Sequence, residues 1–340
     1  MHKRSFLFSI ICLLLISITL GGCTEMQSKT TLTTKNNYPT KPITVIVPFS
    51  AGGGLDLVAR ALEKNALKYL GQPLVVVNKP GGAGTIGWNE LVSSSPDGYT
   101  LGISAIDVLI QPLYGSTKYH YPTALEPIAQ ITTSQWIMAV PANQPWQDLN
   151  DIIRYAKQHP GQLKFGNTGI GSPPHILGET FAKIADINLE QVPFRGASDA
   201  IVALLGDHIQ IVFTNPATVK EQLKNGTLRA LATTGEQRLT DPDLAQIPTF
   251  KELGFDIVLT NWYGIVAPKD LPPEVKAKLE EGFKAIITDP EFKANIENLG
   301  LQVEYLNSED SKEKWRLDGD KLAKTIQETG ILEQIKAQKN

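Results

Sequence analysis

Two glycine-rich stretches hold the residue types best suited to chemistry in this 340-residue chain, and that chemistry is the holding of an anion. The first is Phe49-Ser50-Ala51-Gly52-Gly53-Gly54 with Asp56 just beyond it. A β-branched run (Ile43, Val45, Ile46, Val47) precedes it and stops at Pro48. Leu55, Val58, Ala59, Leu62, Ala66 and Tyr69 then recur at helical spacing. A strand, a glycine turn and a helix start in that order aim several unpaired backbone N–H groups at one spot, which the aligned peptide dipoles make partly positive. The second stretch, Gly166-Asn167-Thr168-Gly169-Ile170-Gly171-Ser172 followed by Pro173-Pro174-His175, has the same layout and adds the hydroxyls of Thr168 and Ser172.

A nucleotide triphosphate does not suit the first loop, because Leu55 and Asp56 stand where a phosphate loop needs Lys and then Ser or Thr. A carboxylate does, since one or two N–H donors per oxygen suffice. The plain alternative is that the three glycines only make a tight turn. Gly82-Ala83-Gly84-Thr85-Ile86-Gly87 matches the dinucleotide spacing, but Lys79-Pro80 separates it from its strand and Ser104-Ala105 occupies the place of the expected acid. There is no G-x-S-x-G elbow for a serine hydrolase. His120, His159 and His208 are scattered, which gives no metal site. Asp148 and Asp151 read as helix-start residues and not as an acid–base pair. No cofactor is implied.

The elements that must position these loops alternate between strand and helix. Leu74 to Val77, Tyr99 to Ile103, Trp136 to Val140, Leu163 to Gly166, Leu189 to Phe194, Ile209 to Thr214, Leu228 to Thr233 and Trp262 to Ala267 read as strands. Helices are predicted at Leu149 to Gln158, His175 to Ile184, Ser198 to Leu205 and Val219 to Lys224. Three more start near Pro273, Pro290 and Ser308. The alternation predicts mostly parallel sheets in an α/β fold of two doubly wound domains. Pro127 to Thr133 reads as the segment leaving the first domain. Residues 38–131 and 232–340 are expected to form domain I and residues 132–231 domain II, with a two-segment hinge between them. Ligands of open α/β sheets bind at the carboxyl ends of strands, which sets the two glycine loops face to face across a cleft.

At the N-terminus, Lys3 and Arg4 precede an apolar run from Phe6 to Leu20, and Leu20-Gly21-Gly22-Cys23 follows. This predicts a signal peptide over 1–22 with Cys23 acylated as the mature N-terminus, and a polar tether over 23–37. Cys12 is the one other cysteine and leaves with the signal, so thiol and disulfide chemistry are absent from the mature chain. Removing Lys3 and Arg4 leaves 30 basic against 35 acidic residues, so the formal charge of −3 becomes −5. With no basic face, nucleic acid is not a partner.

The chain resembles the substrate-binding receptors of tripartite tricarboxylate transporters, the TctC or Bug-type family. The likeness lies in Tyr38-Pro39-Thr40-Lys41-Pro42-Ile43, Val47-Pro48-Phe49 with Gly52-Gly53-Gly54 and Asp56, Val58-Ala59-Arg60, Asn78-Lys79-Pro80-Gly81 and Pro96-Asp97-Gly98-Tyr99-Thr100. It continues through Gly169-Ile170-Gly171-Ser172 with His175, Val192-Pro193-Phe194-Arg195-Gly196, Leu228-Arg229-Ala230-Leu231-Ala232 and Ile247-Pro248-Thr249. The resemblance implies a type II periplasmic-binding-protein fold and a monomeric, non-enzymatic, extracytoplasmic lipoprotein. Such a receptor captures a small organic carboxylate and passes it to the small and large membrane subunits of a transporter. By matching position it implies Phe49, Ser50, Ala51, Gly52 and Gly53 at one end of the ligand and Thr168, Gly171, Ser172 and His175 at the other. Asp56 either contacts ligand or braces the loop.

Two departures from the family pattern bear on specificity. Leu55 stands where Thr or Ser is common, and Thr214-Asn215 where Asp-Asn is common. Thr214 cannot pair with an amino group, so a ligand without a cationic amine is expected. Arg195 is either an anion partner or a brace for Asp199. Trp262-Tyr263 either wall the cleft or pack in the core. The alternatives to a transport receptor are an enzyme acting on a small carboxylate on the same fold, and a sensory lipoprotein that reports its ligand to a signalling partner.

Overall fold

The computed structural model describes residues 37–328 and 330–339. The predicted signal segment, the tether up to residue 36 and the acylation site at Cys23 lie outside the described residues. The account below concerns the compact unit Tyr38–Asn340. No described helix is long and apolar enough to cross a membrane.

Strand β1 (Ile43–Val47) leads through the glycine turn into helix α1 (Gly54–Leu70) and back to β2 (Leu74–Asn78). The helix starts at Gly54 because Gly53 is extended (φ −77°, ψ 167°). It stops at Gly71, whose left-handed φ of 76° turns its N–H onto the Leu67 carbonyl. Its apolar stripe, Val58, Ala59, Leu62 and Ala66, is wholly buried. Helix α2 (Thr85–Val92), strand β3 (Thr100–Ala105) and two short helices, α3 (Asp107–Ile110) and α4 (Tyr121–Ala124), follow. Next comes the long strand β4 (Leu125–Gln135).

After a single residue, Trp136, the chain enters a second sheet. Its elements are β5 (Ile137–Pro141), α5 (Leu149–Gln158), β6 (Lys164–Asn167), α6 (Pro173–Ile184), β7 (Glu190–Pro193), α7 (Ala197–Leu205), β8 (Ile211–Thr214), α8 (Pro216–Lys224) and β9 (Leu228–Thr233). The Asp148 carboxylate accepts the Asp151 N–H and caps α5. The chain then returns through β10 (Thr260–Pro268), α9 (Pro273–Thr288), α10 (Pro290–Asn298), β11 (Gln302–Leu306), α11 (Ser308–Glu328) and α12 (Ile331–Lys339).

The first sheet has the order β11-β4-β10-β3-β1-β2 and the second β7-β6-β8-β5-β9. Both are mixed, which corrects the expectation of mostly parallel sheets. β2-β1-β3 and β7-β6-β8 are parallel, whereas β10 pairs antiparallel with β3 and β4, β11 with β4, and β5 with β8 and β9. A parallel pair needs a crossover helix. β4 leads out to the other lobe and β10 returns from it, so the two run in opposite directions. Pro127 to Thr133, read as the segment leaving the first domain, lies within β4, which runs directly into the crossing at Trp136.

The expected boundaries at 131/132 and 231/232 fall inside β4 and β9. Beyond β9, Leu239, Leu244, Ile247, Phe250 and Ile257 still pack into the cores of the second sheet, so the return to the first sheet comes at β10. The crossings touch one another. The Trp136 N–H donates to Thr234 Oγ1 and the Thr234 N–H to the Trp136 carbonyl, each at 3.0 Å, and Leu259 donates to the Thr234 carbonyl at 3.0 Å.

Candidate functional site

The turn after β1, the start of α1, the end of β3 and the inner end of β10 meet the loops of the second sheet around one cavity. The first lobe supplies Phe49, Gly53, Gly54, Leu55, Ala105, Asp107, Asn261 and Tyr263, the second supplies Thr168, Ala197 and Asn215, and Trp136 of the crossing closes the back. The cavity volume is about 30 Å³, room for about two waters. A larger guest is taken in only when the lobes part.

Three helix starts converge on this space: α1 after Gly53, α7 after Gly196 and α8 after Asn215. None of the three capping residues uses a side chain to satisfy the first-turn N–H groups. Each start contributes roughly half a positive charge. No Lys, Arg or His lines the cavity, so an anion would be held by peptide dipoles and neutral side-chain donors.

Of the residues picked out from sequence, Phe49, Gly53, Thr168 and Asn215 line the cavity. Others turn out to be structural. Asp56 is 2 % exposed and braces the first loop: its Oδ2 accepts from the Gly52 N–H and from Arg60 Nε, both at 2.9 Å. Asn78 Nδ2 ties Asp56 Oδ1 to the Phe49 carbonyl at 3.0 Å each. Burial alone would raise the Asp56 pKa, but the hydrogen bonds from Arg60, Gly52 and Asn78 outweigh it and hold the carboxyl below its ordinary value. The Gly52 amide, expected to grip ligand, is therefore engaged internally.

The second loop is braced in a similar way. The Gly171 N–H donates to His175 Nδ1 at 3.0 Å, and His175 is fully buried with Nε2 facing Glu179 Oε1 at 3.3 Å. The imidazole shapes the loop and the Gly171 amide is spent on it. The Ser172 and Thr214 hydroxyls are buried without partners, yet neither residue lines the cavity. Arg195 is exposed and lines a separate groove with Gly82, Gly169 and Asp199, not the inner cavity.

Loop one and the start of α7 instead clasp one another across the cleft. Ser50 Oγ donates to Asp199 Oδ2 and Ser198 Oγ to the Ala51 carbonyl, both at 2.7 Å. On the other side, Gln111 Nε2 and the Tyr114 hydroxyl donate to the Gly171 carbonyl at 2.9 and 3.2 Å.

Four contributors were not anticipated. Gly54, and not Gly53, is where the first loop comes nearest the second lobe: a Cβ there would lie 2.6 Å from Asn215 Nδ2, and as near the Tyr263 hydroxyl oxygen of its own lobe. Trp136 Nε1 is buried with no partner, and so are both amide atoms of Asn261. Asp107 is 3 % exposed with Oδ1 unpartnered, and burial pushes its pKa up to about 7. Tyr263 walls the cleft. Burial first, and then the Asp107 charge, raise its pKa, and its hydroxyl lies near Asn215 and Asn261 without alignment to either. Trp262 points the other way, stacking on Trp315 at 5.7 Å and donating to Asp318 Oδ2 at 2.9 Å. A lone Asp inside the apolar run Ile106 to Ile110, directly after a strand end, was the available signal for Asp107.

A family model described as the tripartite tricarboxylate transporter family receptor matches residues 58–331. A Cupriavidus necator protein, "UPF0065 protein in gbd 5'region", is 34% identical over 81% of this chain and 83% of its own length. Protein BugT of Bordetella pertussis is 32% identical over 71% of this chain and 74% of its own. The solved structure of the periplasmic binding protein BugD is 29% identical, with a TM-score of 0.82, covering 86% of this chain and 99% of that one. The architecture is accordingly the two-lobed type II periplasmic-binding-protein fold expected from the sequence.

Proposed function

Because the chain belongs to the tripartite tricarboxylate transporter receptor family, we propose that it captures a small organic carboxylate in the interlobe cavity and delivers it to a membrane transporter of that type. One observation carries the reading: a cavity between two lobes onto which three helix starts open without capping side chains and which no basic side chain lines. Such a site recognises a carboxylate. A receptor on the outer side of the membrane, held there by an acylated Cys23, is the setting that the N-terminal sequence supports. Closure requires only that the ligand bind the closed form better than the open one.

The test is a thermal-shift panel of mono-, di- and amino-carboxylates, with NMR of the ligand after incubation. At a hundredfold excess over Kd, binding stabilises by about 2.7 kcal/mol, a shift of several degrees. Stabilisation with the acid recovered unchanged supports the receptor. Stabilisation by none of the acids, or steady conversion of one to product, rejects it.

A further inference from the structure

The cavity lining holds two unlike sets of groups. The helix starts of α1 and α8 supply N–H donors. The other set is Asp107, the sole ionisable carboxylate of the lining, with Oδ1 unpartnered, and Asn261, whose Oδ1 and Nδ2 are both unengaged. Tyr263 and Tyr114 face the Asp107 carboxyl from β10 and from the turn after α3, and both are neutral groups whose ionisation its charge opposes. No cation compensates it within the lining. A buried carboxylate without a counter-charge costs several kcal/mol unless it is paired or neutralised. A second ligand carboxylate brought to Asp107 would meet a like charge, whereas an ammonium group there would meet a carboxylate and the Asn261 carbonyl.

We propose that the ligand is a zwitterion, a small acid that also carries a primary amine, with its carboxylate at the helix starts and its ammonium received by Asp107 and Asn261 Oδ1. This rests on the receptor reading above and narrows its ligand class. It also replaces the expectation of an amine-free ligand drawn from Thr214. The acid that can pair with an amino group is present, but it follows β3 in the first lobe instead of β8 in the second.

Titration calorimetry of the full chain at pH 8 with three matched pairs decides the point: alanine against propionate, aspartate against succinate, and glutamate against glutarate. The members of each pair differ only in the ammonium group. The expected result is at least tenfold tighter binding of the amino acid in one or more pairs, with Asp107→Asn abolishing or inverting that preference. Binding of the plain acid as tightly as its amino partner in every pair overturns the zwitterion and leaves the receptor standing. Binding of no acid of either kind overturns both. The wild-type comparison decides without any variant, and Asp107→Ser serves in place of Asp107→Asn should the latter fold poorly.

Discussion

Asp107 and Asp56 are buried in the same lobe, and their surroundings drive them in opposite directions. Burial raises Asp107 from 3.8 to about 7, so the folded chain keeps a proton there that the unfolded chain releases near pH 4. The stabilising contribution is full below that pH and is lost as pH rises through about 7. The difference between these two values sets an upper limit of about 4 kcal/mol on the loss. Asp107→Asn removes this dependence. By denaturant unfolding the variant is expected to match the wild type near pH 4 and to exceed it by about 1 kcal/mol or more at pH 8. Equal stability at pH 8 would mean that the carboxylate is better solvated than its burial indicates. The Asp56 carboxyl is held low, so its contribution is present at neutral pH and lost in acid. Its bracing role was legible because an acid in the first turn of a helix has a local partner, the helix start. Asp107 was not legible, since its meaning comes from Asn261 and Tyr263, more than 150 positions away.

Elements with strong local signals stand where their residues put them. α5 and β9 occupy Leu149–Gln158 and Leu228–Thr233 as read from the sequence. The first has an Asp cap and a clear apolar stripe, the second an alternating apolar run. The short helices α3 and α4 were missed because four residues show no period. The antiparallel pairing of β4 and β10 was missed because pairing partners are a tertiary fact. The three glycines of the first loop look alike in sequence and differ in the fold. At Gly53 an added Cβ meets nothing closer than 3.4 Å, whereas at Gly54 it collides with Asn215 of the opposite lobe. Gly54→Ala is therefore expected to weaken ligand binding by tenfold or more. It should also lower the melting temperature of the free protein slightly, since the same Cβ would lie 2.6 Å from the Tyr263 hydroxyl of its own lobe whether or not the lobes part. Titration and a melt on the same sample separate the two effects. Unchanged affinity would show that Asn215 swings aside and that this approach does not govern closure.

For the molecule as a whole, closure is a matter of few bonds between large bodies. Each lobe has an apolar cluster of its own and a third cluster joins Ile176 of the second lobe to Phe49, Leu109 and Tyr114 of the first, while only one residue joins β4 to β5 at the first crossing. Across the mouth of the cleft, Ser50 holds Asp199 and Ser198 holds the Ala51 carbonyl, while Gly196 brings the chain so near that an added Cβ would lie 2.8 Å from the Ser50 nitrogen. A neutral hydrogen bond contributes about 1 kcal/mol net, and one to a charged group about 1.5–3 kcal/mol. The pair of serine contacts thus biases the open–closed equilibrium by about 2–4 kcal/mol without entering either core. Replacing both serines by alanine is expected to lower ligand affinity by tenfold or more and to enlarge the radius of gyration of the free protein in small-angle scattering. The unfolding midpoint should move little, because the lobes that unfold are intact. A double variant that keeps its affinity and its scattering profile would assign closure to the hinge pairing of Trp136 with Thr234 and to the Gly171 contacts alone.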